Sequence, residues 1–228
     1  MLPANLKNSL SEKFDYRVRF NEAMAAHTSF QVGGPADALV MPADEGELIA
    51  LLRQLQAFEI PWFLLGGGTN LVVTDKGIRG VVISLRKGFR RIIPEAEGAR
   101  WVVLYVEAGV RLNKLCRYAA ENGLAGMNFA VGIPGTVGGA VVMNAGTARG
   151  DMAEVIEEML VLWAPDRTET IGKDKLVFSY RGLQWTGASA DSKPPPIILA
   201  VRIKLGKGDP AVLTREAEAL LDERWQKQ

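Results

Sequence analysis

The sequence holds one cysteine and one histidine in 228 residues. A lone cysteine excludes an intramolecular disulfide and any cysteine-based metal cluster. Leu112, Leu115 and Ala119 share a helical stripe with Cys116, so Cys116 reads as core filler rather than a reactive thiol. A Ser-His-Asp triad would have to use His27, and no strained Gly-x-Ser-x-Gly turn is present. His27 therefore reads as structural, and no metal site is expected. An excess of either charge is missing too: 27 basic residues face 26 acidic ones, for a net charge of +1. No global field points to nucleic acid or a membrane surface, so neither is an expected partner. No run is long and apolar enough to cross a bilayer, and Met1 to Lys7 lacks the apolar core of a secretory signal. A cytoplasmic protein is the simplest expectation. Two nucleotide signatures are absent as well. Neither glycine-rich segment carries Gly-x-Gly-x-x-Gly, which argues against a Rossmann fold, and neither ends as a Walker phosphate loop does.

What is present is an ordinary globular composition, 48% hydrophobic and 23% charged, long enough for one large domain or two modest ones. The first twenty or so residues are polar without a clear period. Phe30 to Val40 reads as strand, glycine-proline turn, strand. Asp44 is placed to cap a helix whose Leu48, Leu51, Leu52 and Leu55 form one buried face, ended by Pro61. Short apolar runs at Pro61 to Leu65, Leu71 to Val73 and Val81 to Ile83 read as strands. Trp101 to Val106 is almost continuously apolar, which suits a strand covered on both faces. A helix follows from about Leu112 to Asn122, with Gly123 as its stop. Leu160 to Trp163 and Ile197 to Leu205 read as strands, and Ala188 to Pro196 as a surface loop. Asp209 caps a last helix with Pro210 at its first position. Its stripe of Leu213, Ala217, Leu220 and Leu221 is expected to be partly uncovered and so to favour self-association. The alternation of strand and helix gives an α/β or α+β class.

Two glycine-rich segments carry the chemical signal. The first is Gly66-Gly67-Gly68-Thr69-Asn70-Leu71. Three consecutive glycines admit dihedrals closed to other residues and allow close approach of a ligand. Successive N–H groups then form an anion-binding concavity, and Thr69 and Asn70 add side-chain donors. The second is Gly132-Ile133-Pro134-Gly135-Thr136-Val137-Gly138-Gly139, with the same logic and a proline to stiffen the turn. Either loop alone reads equally as a tight turn in a crowded sheet; the pair, each beside a strand and each with a threonine, favours ligand binding. A third segment is Phe178-Ser179-Tyr180-Arg181. An arginine there has the fork geometry to clamp a carboxylate. On residue type alone it reads as a surface arginine at a strand end.

In this order the motifs resemble the UDP-N-acetylenolpyruvoylglucosamine reductase family. The resemblance begins at His27 to Phe30 with Val32 to Ala36. It runs through Ile60-Pro61, Leu65 to Leu71 and Gly77 to Ile83. It is strongest at Gly132 to Ala140 with Met143-Asn144-Ala145-Gly146, and continues to Phe178-Ser179-Tyr180-Arg181. It implies an α+β fold of the PCMH type, also called vanillyl-alcohol-oxidase-like, with two subdomains holding FAD between them. On this chain those are residues 25–86 and 87–207, preceded by an extension at 1–24 and followed by a helix at 208–228. Gly66, Gly67, Gly68, Thr69, Asn70 and Leu71, with Gly132, Ile133, Pro134, Gly135, Thr136, Gly138 and Gly139, would then contact the pyrophosphate and the isoalloxazine. NADPH would reduce FAD, and a hydride would pass to the enolpyruvyl group of a UDP-sugar in peptidoglycan precursor synthesis. Arg181 matches the arginine that binds the substrate carboxylate. Asn144 and Tyr180 lie in segments the family places near substrate.

The sequence also departs from the family pattern. The family's serine proton donor and a glutamate lie in a third domain and have no counterpart among these residues. The expectation is a flavin-binding part with weak or no turnover, the alternatives being a non-catalytic flavin-binding module or another PCMH-type flavin oxidase or dehydrogenase. Leu183 stands where relatives usually have serine, and Gly146 to Gly150 lacks an aromatic that many relatives carry.

Overall fold

The computed structural model describes residues 2–163, 165–185 and 196–227. The first unit is a four-stranded sheet. In spatial order its strands are Val18–Ala23, Pro35–Val40, Ile78–Ser84 and Trp62–Leu65. The last three run parallel, and Val18–Ala23 is antiparallel to its neighbour. Parallel strands need a crossover, and helix Glu45–Ala57 supplies it. Asp44 accepts from the N–H of Glu47 at 2.8 Å, as the sequence predicts. Leu48, Leu51, Leu52 and Leu55 are all buried.

The sheet alternates as a doubly covered sheet must. Ala38, Val40, Val81 and Ile83 join the main core with the helices, while Leu39 and Val82 face a second cluster with Met24, Leu65 and Val73. Residues expected to be an extension are integral to this unit. Helix Ala4–Phe14 buries Leu6, Leu10 and Phe14, and Val18–Ala23 is a strand of the sheet.

The second unit is an antiparallel six-stranded sheet. Its order is Arg167–Gly172, Ile156–Trp163, Ile197–Lys207, Trp101–Glu107 and Ile92–Glu97, with Leu124–Ala125 pairing to the end of Ile197–Lys207. Helix Leu112–Glu121 packs on it and ends with Gly123 at φ 66°. Helix Pro210–Lys227 lies against Leu112–Glu121, and Asp209 accepts from the N–H of Ala211 at 2.8 Å. One contiguous core cluster runs through both units.

Four expectations change. Phe30 to Gly34 and Leu71 to Val73 are not strands. Phe30 and Val72 stand in solvent, while Val73 is buried in the second cluster and Leu71 packs partly buried against it. Trp101–Glu107 buries alternate residues rather than both faces, because its outer side carries Tyr105 under Arg202 and Trp101 under Lys204. The stripe on the last helix is largely covered: Leu213 is buried and Ala217 and Leu220 pack on the core, leaving Leu221 exposed. The loop expected at Ala188 to Pro196 lies, apart from Pro196, outside the described residues.

Candidate functional site: a glycine-lined neck between two cavities

Both glycine segments leave strand ends and meet each other. The first follows the C-terminal end of Trp62–Leu65, where open parallel sheets present ligand crevices. Its shape depends on missing side chains. A Cβ on Gly68, at φ +69°, would lie 1.9 Å from the carbonyl oxygen of His27. A Cβ on Gly67 would lie 2.5 Å from the Cα of Gly135 in the second segment. The loops therefore pack backbone on backbone. The N–H of Ser29 donates to the carbonyl of Gly68 at 3.0 Å, which places the His27-Thr28-Ser29 turn behind the first loop. His27 itself pairs with Glu22 at 2.7 Å.

The second segment is stitched to the chain after Trp101–Glu107. The N–H groups of Val137 and Gly138 donate to the carbonyls of Val110 and Ala108 at 2.8 and 2.9 Å, and the N–H of Leu112 donates to the carbonyl of Gly135 at 3.0 Å. The Thr136 hydroxyl is spent on the cap of the short helix Val137–Val142, where it accepts from the N–H of Gly139. Among the described residues, no protein acceptor takes the N–H of Gly67, Gly68, Thr69 or Asn70. Such a run of open donors is a cradle for an anion.

Two cavities flank the meeting point. The smaller, about 400 Å³, is lined by the first loop, by Ile133 to Thr136 with Gly138 and Gly139, and by Phe63, Met143, Arg181 and Trp185. The larger, about 1310 Å³, is bordered by helices Leu112–Glu121 and Pro210–Lys227 and is rich in cations: Arg19, Arg86, Lys87, Arg90, Arg111, Lys114 and Arg117 against Glu121 and Glu218. Gly67, Arg86, Gly109, Ile133, Pro134, Gly135 and Thr136 line both, so the cavities join at a neck. Every cofactor residue expected from the sequence lines one cavity or the other, with Gly132 in the larger one.

Arg181 lies at the turn of the hairpin formed by Leu176–Ser179 and Gly182–Trp185. It is exposed, adopts φ 58°, and has its guanidinium 5.8 Å from the centre of the Tyr180 ring. Tyr180 is 92% exposed and lines neither cavity. Asn144 lines neither as well. Its Nδ2 donates to Asp151 at 3.0 Å and to the carbonyl of Ser179 at 3.4 Å, and its Oδ1 accepts from the N–H of Ala153 at 3.1 Å. Asn144 thus ties the Arg181 hairpin to the second glycine segment. Trp185 meets Trp163 edge to face, and among the described residues its buried Nε1 has no partner.

The cations of the larger cavity, Arg86 and Arg111 foremost, escape sequence reading, because an arginine after a strand or before a helix has no distinguishing signature. Burial pushes the Arg86 pKa down, and the nearby charge of Arg111 pushes it the same way. Cys116 borders the larger cavity, but burial raises its pKa to about 12, which leaves an inert thiol.

Comparison with known proteins agrees with this geometry. A family model described as an FAD binding domain matches residues 36–166. The UDP-N-acetylenolpyruvoylglucosamine reductase of Desulfosudis oleivorans is 46% identical over 209 residues, 92% of this chain and 67% of that protein. Its counterpart in Caldanaerobacter subterraneus subsp. tengcongensis is 39% identical over the whole chain and 70% of its own length. The chain thus spans about two thirds of these relatives. Among solved structures, the UDP-N-acetylenolpyruvylglucosamine reductase of Thermus caldophilus superposes with a TM-score of 0.73 at 31% identity, covering 92% of this chain and 71% of that one. A berberine bridge enzyme superposes with a TM-score of 0.64 at 16% identity, a likeness of fold alone. The fold is the PCMH-type α+β fold that binds FAD. The residues present fit that cofactor in kind. An apolar cavity suits a tricyclic ring, a run of open N–H groups that starts at the neck with Gly67 suits a diphosphate, and a cationic cavity suits the remainder.

Proposed function

The chain belongs to the UDP-N-acetylenolpyruvoylglucosamine reductase family, and from that premise we propose that it forms the FAD site for NADPH-dependent reduction of UDP-N-acetylglucosamine enolpyruvate to UDP-N-acetylmuramate. The observation that carries the reading is the pair of joined cavities. Both glycine loops converge on their neck, and Arg181 stands beside the apolar side.

FAD bound there supplies a hydride carrier that NADPH recharges. The protein's part is binding, orientation and charge. Gly66 to Leu71 and Gly132 to Gly139 wall the cavities and set how closely the backbone approaches the cofactor. Among the described residues, Arg181 is the only charged side chain in the smaller cavity other than Arg86 at the neck. An enolpyruvyl group that accepts hydride gathers negative charge on the carbon beside its carboxylate and on the carboxylate itself. A guanidinium on that carboxylate stabilises the charge as it develops. Asn144 holds the hairpin that presents Arg181, which makes it a positioning residue in this reading. The reading assigns no proton donor among these residues.

The test is optical. The purified chain is mixed with FAD, passed through a desalting column and scanned in the visible range. A yellow protein whose flavin band shifts on adding the enolpyruvyl substrate supports the reading. A colourless protein that takes up no FAD refutes it.

A further inference from the structure

We propose that Arg86 is the charge partner of the dinucleotide's diphosphate, held at the neck between the cavities, with Arg111 closing on the same dianion from the larger side. The inference rests on the FAD reading above and names a residue that reading does not assign.

Three observations carry it. First, position. An extended flavin dinucleotide with its ring in one cavity and its adenosine in the other must pass its diphosphate through the segment the cavities share. Of the described residues lining both, Arg86 alone is charged. Second, partners. Among the described residues Arg86 makes no ion pair and no side-chain hydrogen bond, and neither does Arg111, whereas Arg17, Arg79, Arg91 and Arg202 each face a carboxylate. A half-buried guanidinium without an anion is a costly arrangement, and a like charge close by makes it more so. A dianion at the neck relieves both. Third, complementary donors. Gly67 and Gly135 share the neck, and the open N–H groups of Gly67 to Asn70 begin there. A guanidinium fork beside backbone N–H groups is the donor set a diphosphate requires.

The remaining cations of the larger cavity do not compete for this role. Arg19 is engaged with Glu22, and Arg117 lies 3.8 Å from Glu121. Lys87, Arg90 and Lys114, like Arg111, line only the larger cavity and are exposed, but of these Arg111 is the one whose charge acts on Arg86.

The experiment titrates the 228-residue chain and its Arg86→Gln, Arg86→Lys and Arg111→Gln variants with FAD and with riboflavin, which has the ring but no phosphate, following flavin fluorescence. It also records the thermal midpoint of each flavin-free protein. Arg86→Gln is expected to weaken FAD by about 10- to 100-fold, the range for loss of a charge-assisted hydrogen bond, and riboflavin by less than about twofold. Arg86→Lys should retain most of the affinity, and Arg111→Gln should lose less than Arg86→Gln. The flavin-free Arg86→Gln protein should melt no lower than the parent, since an unpaired charge has been removed. Equal losses for FAD and riboflavin, or unchanged FAD affinity, overturn the proposal while leaving the FAD reading intact. A lowered flavin-free midpoint with losses across both ligands marks a structural role and overturns it too. A parent chain that binds no flavin overturns both. Should Arg86→Gln fail to fold, the lysine and Arg111 variants decide the matter by the same comparison.

Discussion

Arg181 occupies a left-handed backbone conformation that an arginine adopts at a cost of about 1–3 kcal/mol. Glycine would take that turn position freely. A costly conformation kept beside a cavity is the pattern expected where a side chain is selected for what it touches. Arg181→Gly separates the two contributions. Relief of strain and greater freedom of the unfolded chain offset each other, so stability should stay within about 1 kcal/mol of the parent. Binding of the enolpyruvyl substrate, read from its perturbation of the flavin spectrum, should weaken by about tenfold or more, because a charge-assisted bond is lost. Unchanged binding would return Arg181 to the surface role its sequence context suggests. Arg86 teaches the converse. Leu85-Arg86-Lys87 looks like any strand ending in solvent, and only the tertiary meeting of two loops gives Arg86 a position. Glycines are different. Gly67 and Gly68 show in the sequence as two of three consecutive glycines, although the atoms that exclude their side chains, in Gly135 and His27, lie far along the chain.

At the scale of elements, the helix Glu45–Ala57 was legible because its buried leucines repeat at i, i+3, i+4 and i+7 behind a capping aspartate. Helix Ala4–Phe14 was not. Leu2, Leu6, Leu10 and Phe14 recur only every fourth residue, and the polar residues between them mask the stripe. Leu71 to Val73 misled because a loop that walls a cavity needs apolar anchors, here Val73 with Leu71 beside it, and not a paired strand. Elements also meet through charge. Glu47 accepts from the N–H of Ala43 at 2.7 Å and from Arg17 at 2.8 Å, joining the start of the helix to the chain before the first strand. The Arg17 hydrogen bond holds the Glu47 pKa below its ordinary value of 4.5, against a smaller opposing effect of burial. A depressed carboxylate pKa contributes stability that is present above the unfolded value and lost as pH falls through the folded one. Glu47→Gln should therefore be less stable than the parent at pH 7. The gap should begin to close as pH drops below about 4.5, where unfolded Glu47 takes up a proton, and go on closing as pH falls through the lower pKa of the folded carboxylate. Denaturant midpoints at neutral pH and near pH 3 check this, and a gap of constant size would contradict it. Between the two glycine loops the close dependence is Gly67 on Gly135. Gly67→Ala inserts a methyl 2.5 Å from the facing Cα, so the two loops must part. FAD retention through a desalting column should be lost, while far-ultraviolet circular dichroism stays that of the parent. Full retention would show that the neck tolerates spreading.

At the scale of the whole molecule, the two sheets are separate in hydrogen bonding yet continuous in packing. One core cluster runs from Leu6 and Leu51 in the first unit to Met159 and Ile203 in the second. The α+β class and the two glycine loops were readable from the chain. The joining of the units was not, since it depends on which faces meet across residues far apart in sequence. This continuity predicts a single cooperative unfolding transition. The proposed ligand sits where the units meet, with one loop from each, so it binds the assembled form and not the parts. Mass action then sets the size of its effect. FAD at about one hundred times its dissociation constant should stabilise the chain by about 2.7 kcal/mol. For a protein of this length that corresponds to a rise in the melting midpoint of about 5–10 °C. Calorimetry with and without FAD measures both features at once. Two resolved transitions, of which FAD moves only one, would mean that the neck belongs to one unit and that the shared core does not couple them.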